Sequence, residues 1–281
     1  MQRQESIESE IKNFKAHHGY EPDLENPRSF NEKICRKKLY DRNPLLTLTA
    51  DKYRARDYIR SKIGWEAEEH LIPLLWVGKD YNKIPWDKIG DTYIIKPNNG
   101  AGRWILREGN IYSNTRNKPV EDMRQSEIMQ VIRDWFKTVH GAEWNEWCYQ
   151  NIDPLIVIEK VLYDGEDLVL NYKFMMFSGK CRMIYVLDRN DIHLTMYDEN
   201  FNLLPVKRKG HPAGVIGKKP YDLRKIIGFA EKLSQPFDFV RVDFYITDDW
   251  FYFGEMTHYP GSGHGVFEPA DYDLTLGGYW K

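Results

Sequence analysis

Arg241–Thr257, RVDFYITDDWFYFGEMT, decides the reading of this chain. The runs RVDFYI and WFYFGEMT are rich in aromatic and β-branched residues, and Asp248-Asp249 interrupts them, so the stretch reads as a β-hairpin. A three-residue loop centred on Asp249 sets Asp243 across from Glu255 and Arg241 across from Thr257. Opposed residues share one face of a sheet, so two carboxylates meet there and repel unless something positive lies between them. A divalent cation is the usual answer, and Mg²⁺ takes one or two carboxylates together with substrate phosphates. A two-residue loop would throw the acids onto opposite faces. The plain alternative to a metal dyad is a solvated acidic edge.

The rest of the chain is compatible with a cleft around such a pair. At 281 residues it is too long for one minimal domain and suits lobes around a shared site. Apolar residues make up 42% and charged residues 29%, enough for a core and against disorder. With 40 basic against 42 acidic residues the formal charge is −2, so no overall basic field exists to hold nucleic acid. The runs Arg36-Lys37-Lys38 and Lys207-Arg208-Lys209 read as solvated faces, although the second could meet an anionic substrate. Cys35, Cys148 and Cys181 lie far apart without CxxC spacing, which argues against a disulfide framework or a zinc site. MQRQESIESEIKNFK lacks the apolar run of a secretory signal, and stretches such as Leu71–Val77 are too short to span a bilayer. A cytoplasmic protein without a transmembrane segment is expected.

The elements fall into an α+β order. Ser29-Phe30-Asn31-Glu32 is a capping box opening a helix to about Asp41, and Asn43-Pro44 breaks it. A second helix is expected from near Thr49 through ADKYRARDYIRSKI to Gly64. LIPLLWVG reads as a buried strand; TYIIKP and RWILRE are strands on either side of the Gly-rich NNGAGR. Pro119 fits the first turn of a helix over 119–139, with Met123, Ile128, Val131, Ile132, Trp135 and Phe136 as its apolar stripe. PLIVIEKVL is a strand ending at Glu159-Lys160, and LNYKFMMF and KCRMIYVL flank the turn Ser178-Gly179. Residues 188–220 read as loop, YDLRKIIGFAEKLS as an amphipathic helix, and HYPGSGHGVFEPADYD as irregular. The division expected is a helical region over 1–85, a lobe with the Gly-rich loop over 86–158, and a lobe with the acid-bearing hairpin over 159–281.

Several residues bear chemistry. Lys96 ends a strand and leads into Asn98-Asn99-Gly100-Ala101-Gly102, where glycines let backbone N–H groups approach an anion. The loop joins two strands, so it matches neither a P-loop nor a dinucleotide fingerprint; a phosphate flap and an ordinary hairpin loop both remain. Lys173 has apolar neighbours on both faces, which suits a cation aimed at a phosphate or an edge lysine that snorkels. Glu159, at a strand end, suits a ribose acceptor or a surface glutamate.

In this order the residues resemble the ATP-grasp proteins, specifically the TupA-like group. RSFNEKI, LYDRNPLLTLTADKY, PLIVIEKVL, DLVLNYKF, FVRVDFY, FGEMTHYPGSG and YDLTLGG carry the resemblance from about Arg28 onward. It implies the ATP-grasp fold, two α+β lobes gripping ATP between antiparallel sheets after an N-terminal region. It also implies that Lys96 and Lys173 contact ATP phosphates, that Asn98, Asn99, Gly100, Ala101 and Gly102 close over them, and that Glu159, Lys160 and Val161 form the adenine and ribose hinge. Arg241 would meet the γ-phosphate or an acyl phosphate, with Asp243 and Glu255 holding Mg²⁺. Many ATP-grasp enzymes have Asn two residues after the second metal acid; Thr257 stands here and leaves a weaker, neutral contact. Lys52, in ADKY, also matches the group's pattern.

The chemistry implied is carboxylate–amine ligation through an acyl phosphate, using ATP and Mg²⁺, between a carboxylate such as a uronic-acid saccharide and an amino acid or other amine in bacterial cell-surface polysaccharide synthesis. Such an intermediate hydrolyses readily, so closing loops are needed; Gly100–Gly102 and Gly261–Gly265 are candidates. His258, Ser262 and His264 are candidates at the acceptor side, against a structural reading of the histidines. Rival readings are a kinase of a saccharide hydroxyl, a glycosyltransferase using Asp271-Tyr272-Asp273, and a non-catalytic assembly partner.

Overall fold

Two antiparallel sheets face each other, and the residues that alternate along their strands decide what lies between them. The computed structural model describes residues 2–114, 120, 121, 123–187, 193–212, 214 and 216–281. Helices α1 (Gln2–His18), α2 (Phe30–Tyr40), α3 (Pro44–Ala50) and α4 (Ala55–Ile63) lead in, followed by a 3₁₀ segment Gly64–His70. The first sheet holds β1 (Leu74–Gly78), β2 (Thr92–Pro97), β3 (Ile105–Glu108), β4 (Ile111–Asn114), β5 (Val120–Glu121) and β6 (Ile156–Glu159), in the order β1-β6-β2-β3-β4-β5. Helix α5 (Gln125–Phe136) covers its outer face, and α6 (Trp147–Gln150) precedes β6. After the small hairpin β7 (Tyr163–Asp164) and β8 (Asp167–Leu168) comes β9 (Leu170–Phe177), the centre of the second sheet. With β10 (Lys180–Leu187), β11 (Leu194–Tyr197), β13 (Phe239–Ile246) and β14 (Phe251–Thr257) it forms the order β11-β10-β9-β13-β14. The remaining pair is β12 (Lys207–Arg208) with β15 (Phe267–Glu268); α7 (Leu223–Ser234) backs the second sheet and α8 (Tyr272–Tyr279) ends the chain.

The capping box forms as expected: Ser29 Oγ accepts from Glu32 N, and Glu32 Oε2 accepts from Ser29 N at 2.9 Å. The second expected helix is instead two. Asp51 Oδ1 accepts from the backbone N–H of Tyr53 and Arg54, and this side-chain competition for backbone donors separates α3 from α4. The helix expected over 119–139 is confined to α5; Pro119 lies outside the described residues. Within 188–220 the expected loop contains β11 and β12, and the stretch read as irregular, 258–273, contains β15 and the first two residues of α8. Of LIPLLWVG only Leu74–Gly78 forms β1, half-buried rather than buried, after the buried Leu71 and Ile72, and β1 pairs with β6, so the first sheet begins before residue 86. Tyr93, Ile95, Ile105, Ile156 and Ile158 pack against α5, where Ile128 and Ile132 are buried. That leaves Ile94, Lys96, Val157 and Glu159, by alternation, on the opposite face.

The hairpin that decides the fold reaches its expected register by an unexpected route. Asp243 faces Glu255 and Arg241 faces Thr257. The turn, however, is two residues long: Ile246 pairs with Phe251, and Thr247 N donates to Trp250 O. A bulge at Gly254 then inserts one residue into β14, because Phe244 pairs with Phe253 while Asp243 pairs with Glu255. The short turn and the bulge cancel. The β9–β10 hairpin keeps its expected turn at Ser178-Gly179 and carries a bulge at Arg182 that sets Tyr185 opposite Lys173. Phe174, Val242, Phe244 and Met256 point to α7, whose Ile226, Phe229, Ala230 and Leu233 complete the main core. Lys173, Met175, Met183, Tyr185, Arg241, Asp243, Tyr245, Glu255 and Thr257 share the other face.

Candidate active site

The charged groups of the second sheet converge at its centre. Lys173 on β9 lies opposite Asp243 on β13, which lies opposite Glu255 on β14. Lys173 Nζ is 2.6 Å from Asp243 Oδ2. Arg241 reaches along its own strand: Nε donates to Asp243 Oδ1 at 2.6 Å and Nη2 to Asp243 Oδ2 at 2.7 Å. The same Nη2 contacts Glu255 Oε1 and Thr257 Oγ1, both at 2.9 Å, and Nη1 donates to the Tyr185 hydroxyl at 3.0 Å. Lys52, freed by the break between α3 and α4, places Nζ 2.7 Å from Glu255 Oε2.

The positive charge between the opposed acids is therefore supplied by the protein, where the sequence suggested a metal. Three cations, Lys52, Lys173 and Arg241, surround two carboxylates, leaving one positive charge in excess. Burial raises the Glu255 carboxyl, but Lys52, Arg241 and Lys173 outweigh it and hold it far below the usual carboxylate range. Burial also pulls the Lys173 ammonium and the Arg241 guanidinium down, yet Asp243 keeps both above their ordinary values. Asp243 is fully buried, and Lys173 and Arg241 are nearly so. These groups are enclosed and short of negative charge.

The first sheet supplies the facing wall. Lys96 Nζ, at the end of β2, is 2.6 Å from Glu159 Oε2 at the end of β6, and Arg56 Nη1 is 3.6 Å from Glu159 Oε1. Burial lowers the Lys96 ammonium, and Glu159 more than restores it. Tyr245, on the acid-bearing face, is held above its ordinary value first by burial, with Lys96, Lys173, Glu255 and Glu159 all acting on its hydroxyl. That tyrosine lies where the two walls meet. Lys160 N is bonded to Pro73 O at 3.0 Å, so Glu159–Val161 is anchored as it leaves the first sheet for the second.

The Gly-rich loop divides into an anchor and a flap. Asn98 is fully buried: its Nδ2 donates to Asp51 Oδ2 and Asp153 O, and its Oδ1 accepts from Leu155 N. Asn99 is buried beside it, Ala101 is exposed, and Gly100 and Gly102 have φ of 83° and 69°. A side chain at Gly100 would run into the His140 ring, and Lys52 Nζ donates to Gly100 O at 2.7 Å. Lys52 thus joins the loop to Glu255. Burial pushes the His140 imidazole down to about 4, so the ring against the loop is neutral at ordinary pH.

Three of the sequence's acceptor-side candidates lie elsewhere. His258 alternates away from Thr257, is fully buried, and contacts Thr49 Oγ1 at 2.8 Å on the α3 side. Ser262 accepts from Lys38 Nζ through Oγ at 2.9 Å and through its carbonyl at 2.7 Å. His264 stacks on His17 at 4.7 Å and approaches Glu10 at 3.4 Å. Lys37 and Lys38, read as solvated, are buried: Lys37 pairs with Asp41 and Asp238, and Lys38 pairs with Glu10 at 2.7 Å. Glu10, Cys35 and His264 come close enough to suggest a metal, but the Lys38 ammonium already supplies the cation there. All three cysteines are free and buried. Asp273 is also structural, accepting from Asn31 N and Nδ2, so Asp271-Tyr272-Asp273 offers no acidic pair for a sugar nucleotide.

Sequence reading missed Tyr185, Tyr245 and His140. Tyr245 follows from alternation with Asp243; Tyr185 depends on a bulge, and His140 on a contact that no pattern announces.

Among the described residues, no helix is long and apolar enough to cross a membrane. No curated protein matches the sequence. Among solved structures, D-alanine–D-alanine ligase from Bacillus anthracis complexed with ATP is 14% identical with a TM-score of 0.46, over 84% of this chain and 65% of that one. The D-alanine–D-alanine ligase from Helicobacter pylori is 13% identical with a TM-score of 0.41, over 81% and 57%. The ATP-grasp ligase PsnB, complexed with a phosphomimetic variant of minimal precursor, Mg and ADP, is 9% identical with a TM-score of 0.41, over 83% and 60%. The chain spans between 57% and 65% of the length of these three structures. A family profile described as TupA-like ATPgrasp matches residues 32–281, a span that includes Lys52, the Gly-rich loop and the acid-bearing hairpin, and the chain belongs to that family.

Proposed function

We propose that the protein is an ATP-dependent carboxylate–amine ligase that works through an acyl phosphate. The observation that carries this is the excess of Lys52, Lys173 and Arg241 over Asp243 and Glu255 on one buried face, with Lys96 and a glycine loop opposite. A low-dielectric site with surplus fixed positive charge favours a polyphosphate and the charge that builds on a transferring phosphoryl group. The donor set fits Mg²⁺, since Asp243 and Glu255 offer hard carboxylate oxygens close enough to share one guanidinium nitrogen. Bound by those two acids, with Thr257 as a weak neutral neighbour, the ion would neutralise phosphate charge.

Lys96 and Lys173 exchange Glu159 and Asp243 for phosphate oxygens, and Arg241 turns toward the γ-phosphate. Asn99–Gly102 closes over the chain of phosphates, with Asn98 as its fixed base, and Glu159–Val161 receives the ribose and adenine. A substrate carboxylate oxygen attacks the γ-phosphorus and the bond to ADP breaks. The amine nitrogen then attacks the acyl carbon; phosphate departs with the C–O electron pair, and the amine proton passes to solvent. Lys52, tied to both Gly100 and Glu255, couples closure of the loop to the acids. The carboxylate substrate is a uronic-acid saccharide and the amine an amino acid or related amine, in assembly of a bacterial cell-surface polysaccharide in the cytoplasm. The working division keeps a helical lead-in, a lobe with the Gly-rich loop and a lobe with the acid-bearing hairpin, with the first boundary moved ahead of β1 and the second placed after Glu159 so that the first sheet stays whole.

The test is ADP and phosphate release from Mg-ATP with uronic acids and amino acids supplied singly and together. Phosphate release that needs both supports the ligase. ADP formation without phosphate release would indicate a kinase, and stabilisation by UDP-sugars but not by ATP would remove the ligase reading.

A further inference from the structure

We propose that Arg208 binds the carboxylate-bearing substrate, over an apolar extension of the catalytic face; this rests on the ligase reading above. The face that holds Lys173, Arg241 and Asp243 does not end at β9. It continues through Tyr185 and Met183 on β10 to Met196 on β11, which lies opposite Tyr185. Neighbouring strands are about 4.8 Å apart, so Tyr185 stands one strand from Lys173, and it is tied to Arg241 by the 3.0 Å bond from Nη1. Beyond it lies a small cavity of about 30 Å³ lined by Tyr185, Met183, Met196, Asn31, Gly265 and Arg208. That is room for one small polar group.

Arg208 is the one cation lining this cavity, and among the described residues no carboxylate pairs with it. It is fixed from both sides: Arg208 pairs with Phe267 between β12 and β15, and Lys209 N donates to Val266 O at 2.9 Å. The guanidinium lies flat on glycine backbone. A Cβ at Gly265 would come within 2.6 to 2.8 Å of Nη2, Nε and Cζ, and one at Gly261 would also meet Nη2. Two glycines of GSGHG thereby make room for the guanidinium. A planar, permanently charged fork over an apolar floor suits bidentate recognition of a carboxylate. Arg28, for which no carboxylate partner is found among the described residues, lines a separate cavity of about 440 Å³ beside Asp23 and Asp271, whose charge opposes an anion.

Calorimetry on protein carrying Mg²⁺ and a non-hydrolysable ATP analogue tests this, with D-glucuronate and D-galacturonate as probes and D-glucose and D-galactose as neutral controls. Wild type and Arg28→Gln are expected to prefer the uronates. Arg208→Gln is expected to bind them about tenfold to a hundredfold more weakly and the neutral sugars unchanged. Gly265→Ala, which keeps the arginine but takes its resting place, is expected to show the same loss with an unaltered circular dichroism spectrum. Equal uronate affinity in wild type and Arg208→Gln, or no preference for uronates in wild type, overturns the proposal. Failure of the nucleotide analogue to bind wild type would count against the ligase reading instead, and uronate titration of the nucleotide-free proteins would then decide the role of Arg208.

Discussion

Two of the buried ionic clusters among the described residues differ in the sign of what they lack. Around Asp243 and Glu255, three cations meet two acids, and the group lies on a sheet face opposite a second wall. Around Lys38, one ammonium serves Glu10 and stands near Glu146, with Ser262 and His264 packed in. The first cluster is short of negative charge. The second is short of positive charge and answers by holding a proton, since burial lifts the Glu146 carboxyl to about 7. Both bury charge, both include residues flagged in the sequence, and only the first has the electrostatics of a polyphosphate site. Burial of ionisable groups is thus a poor guide to function until their charges are summed.

Substitutions should separate the clusters. The largest effect is expected on turnover: Asp243→Asn and Glu255→Gln should each lower ATP-dependent product formation by about a hundredfold to a thousandfold, measured as phosphate release, with the fold kept. Comparable activity in either variant would break the contrast at its stronger side. Next, Lys38→Met leaves Glu10 buried without its cation and should cost about 3–5 kcal/mol in urea unfolding. Little change would mean that the second cluster does not hold the 260–265 loop.

A third, smaller effect carries a pH signature. The Glu146 carboxyl is raised in the folded protein, so folding takes up a proton, and stability falls as pH rises from the ordinary carboxylate value to about 7. Glu146→Gln should therefore stabilise the protein by up to about 3 kcal/mol at pH 8 and by little at pH 4, as read by thermal unfolding across that range. The reverse dependence would show an ionised, well-paired Glu146. The smallest effect should come from Gly254→Ala at the bulge, where a Cβ meets Asp243 O and Tyr245 Cε2 at 3.2 Å. A loss of about 1 kcal/mol is expected, with a larger effect on turnover than on stability because the bulge aims Glu255.

These bulges also mark how far the sequence could be read. The sequence placed Asp243 and Glu255 on one face through a three-residue loop, and the structure reaches that register by a two-residue turn corrected at Gly254. A turn can be read from local residue types, whereas a bulge depends on how two strands pack, and here both bulges sit beside site residues. The capping box at Ser29 and the stripe of α5 were local and legible. Lys37 and Lys38 were not, because their partners Asp238 and Glu10 lie on other elements and only the folded chain brings them together. His258 and His264 carried two readings, acceptor side and structural, and the structure packs both rings inward, which fits the structural one. Lys52 gained a role from a helix break that helix propensity could not reveal.

The central claim is that the surplus cations gathered over the second sheet, Lys52 with Lys173 and Arg241, hold the phosphates of ATP, and titration of Mg-ATP into wild type and Lys173→Met tests it most directly. If Lys173 exchanges Asp243 for a phosphate oxygen as proposed, its loss is expected to weaken Mg-ATP at least tenfold while the protein stays folded. Unchanged affinity in Lys173→Met would place the nucleotide elsewhere and contradict the account.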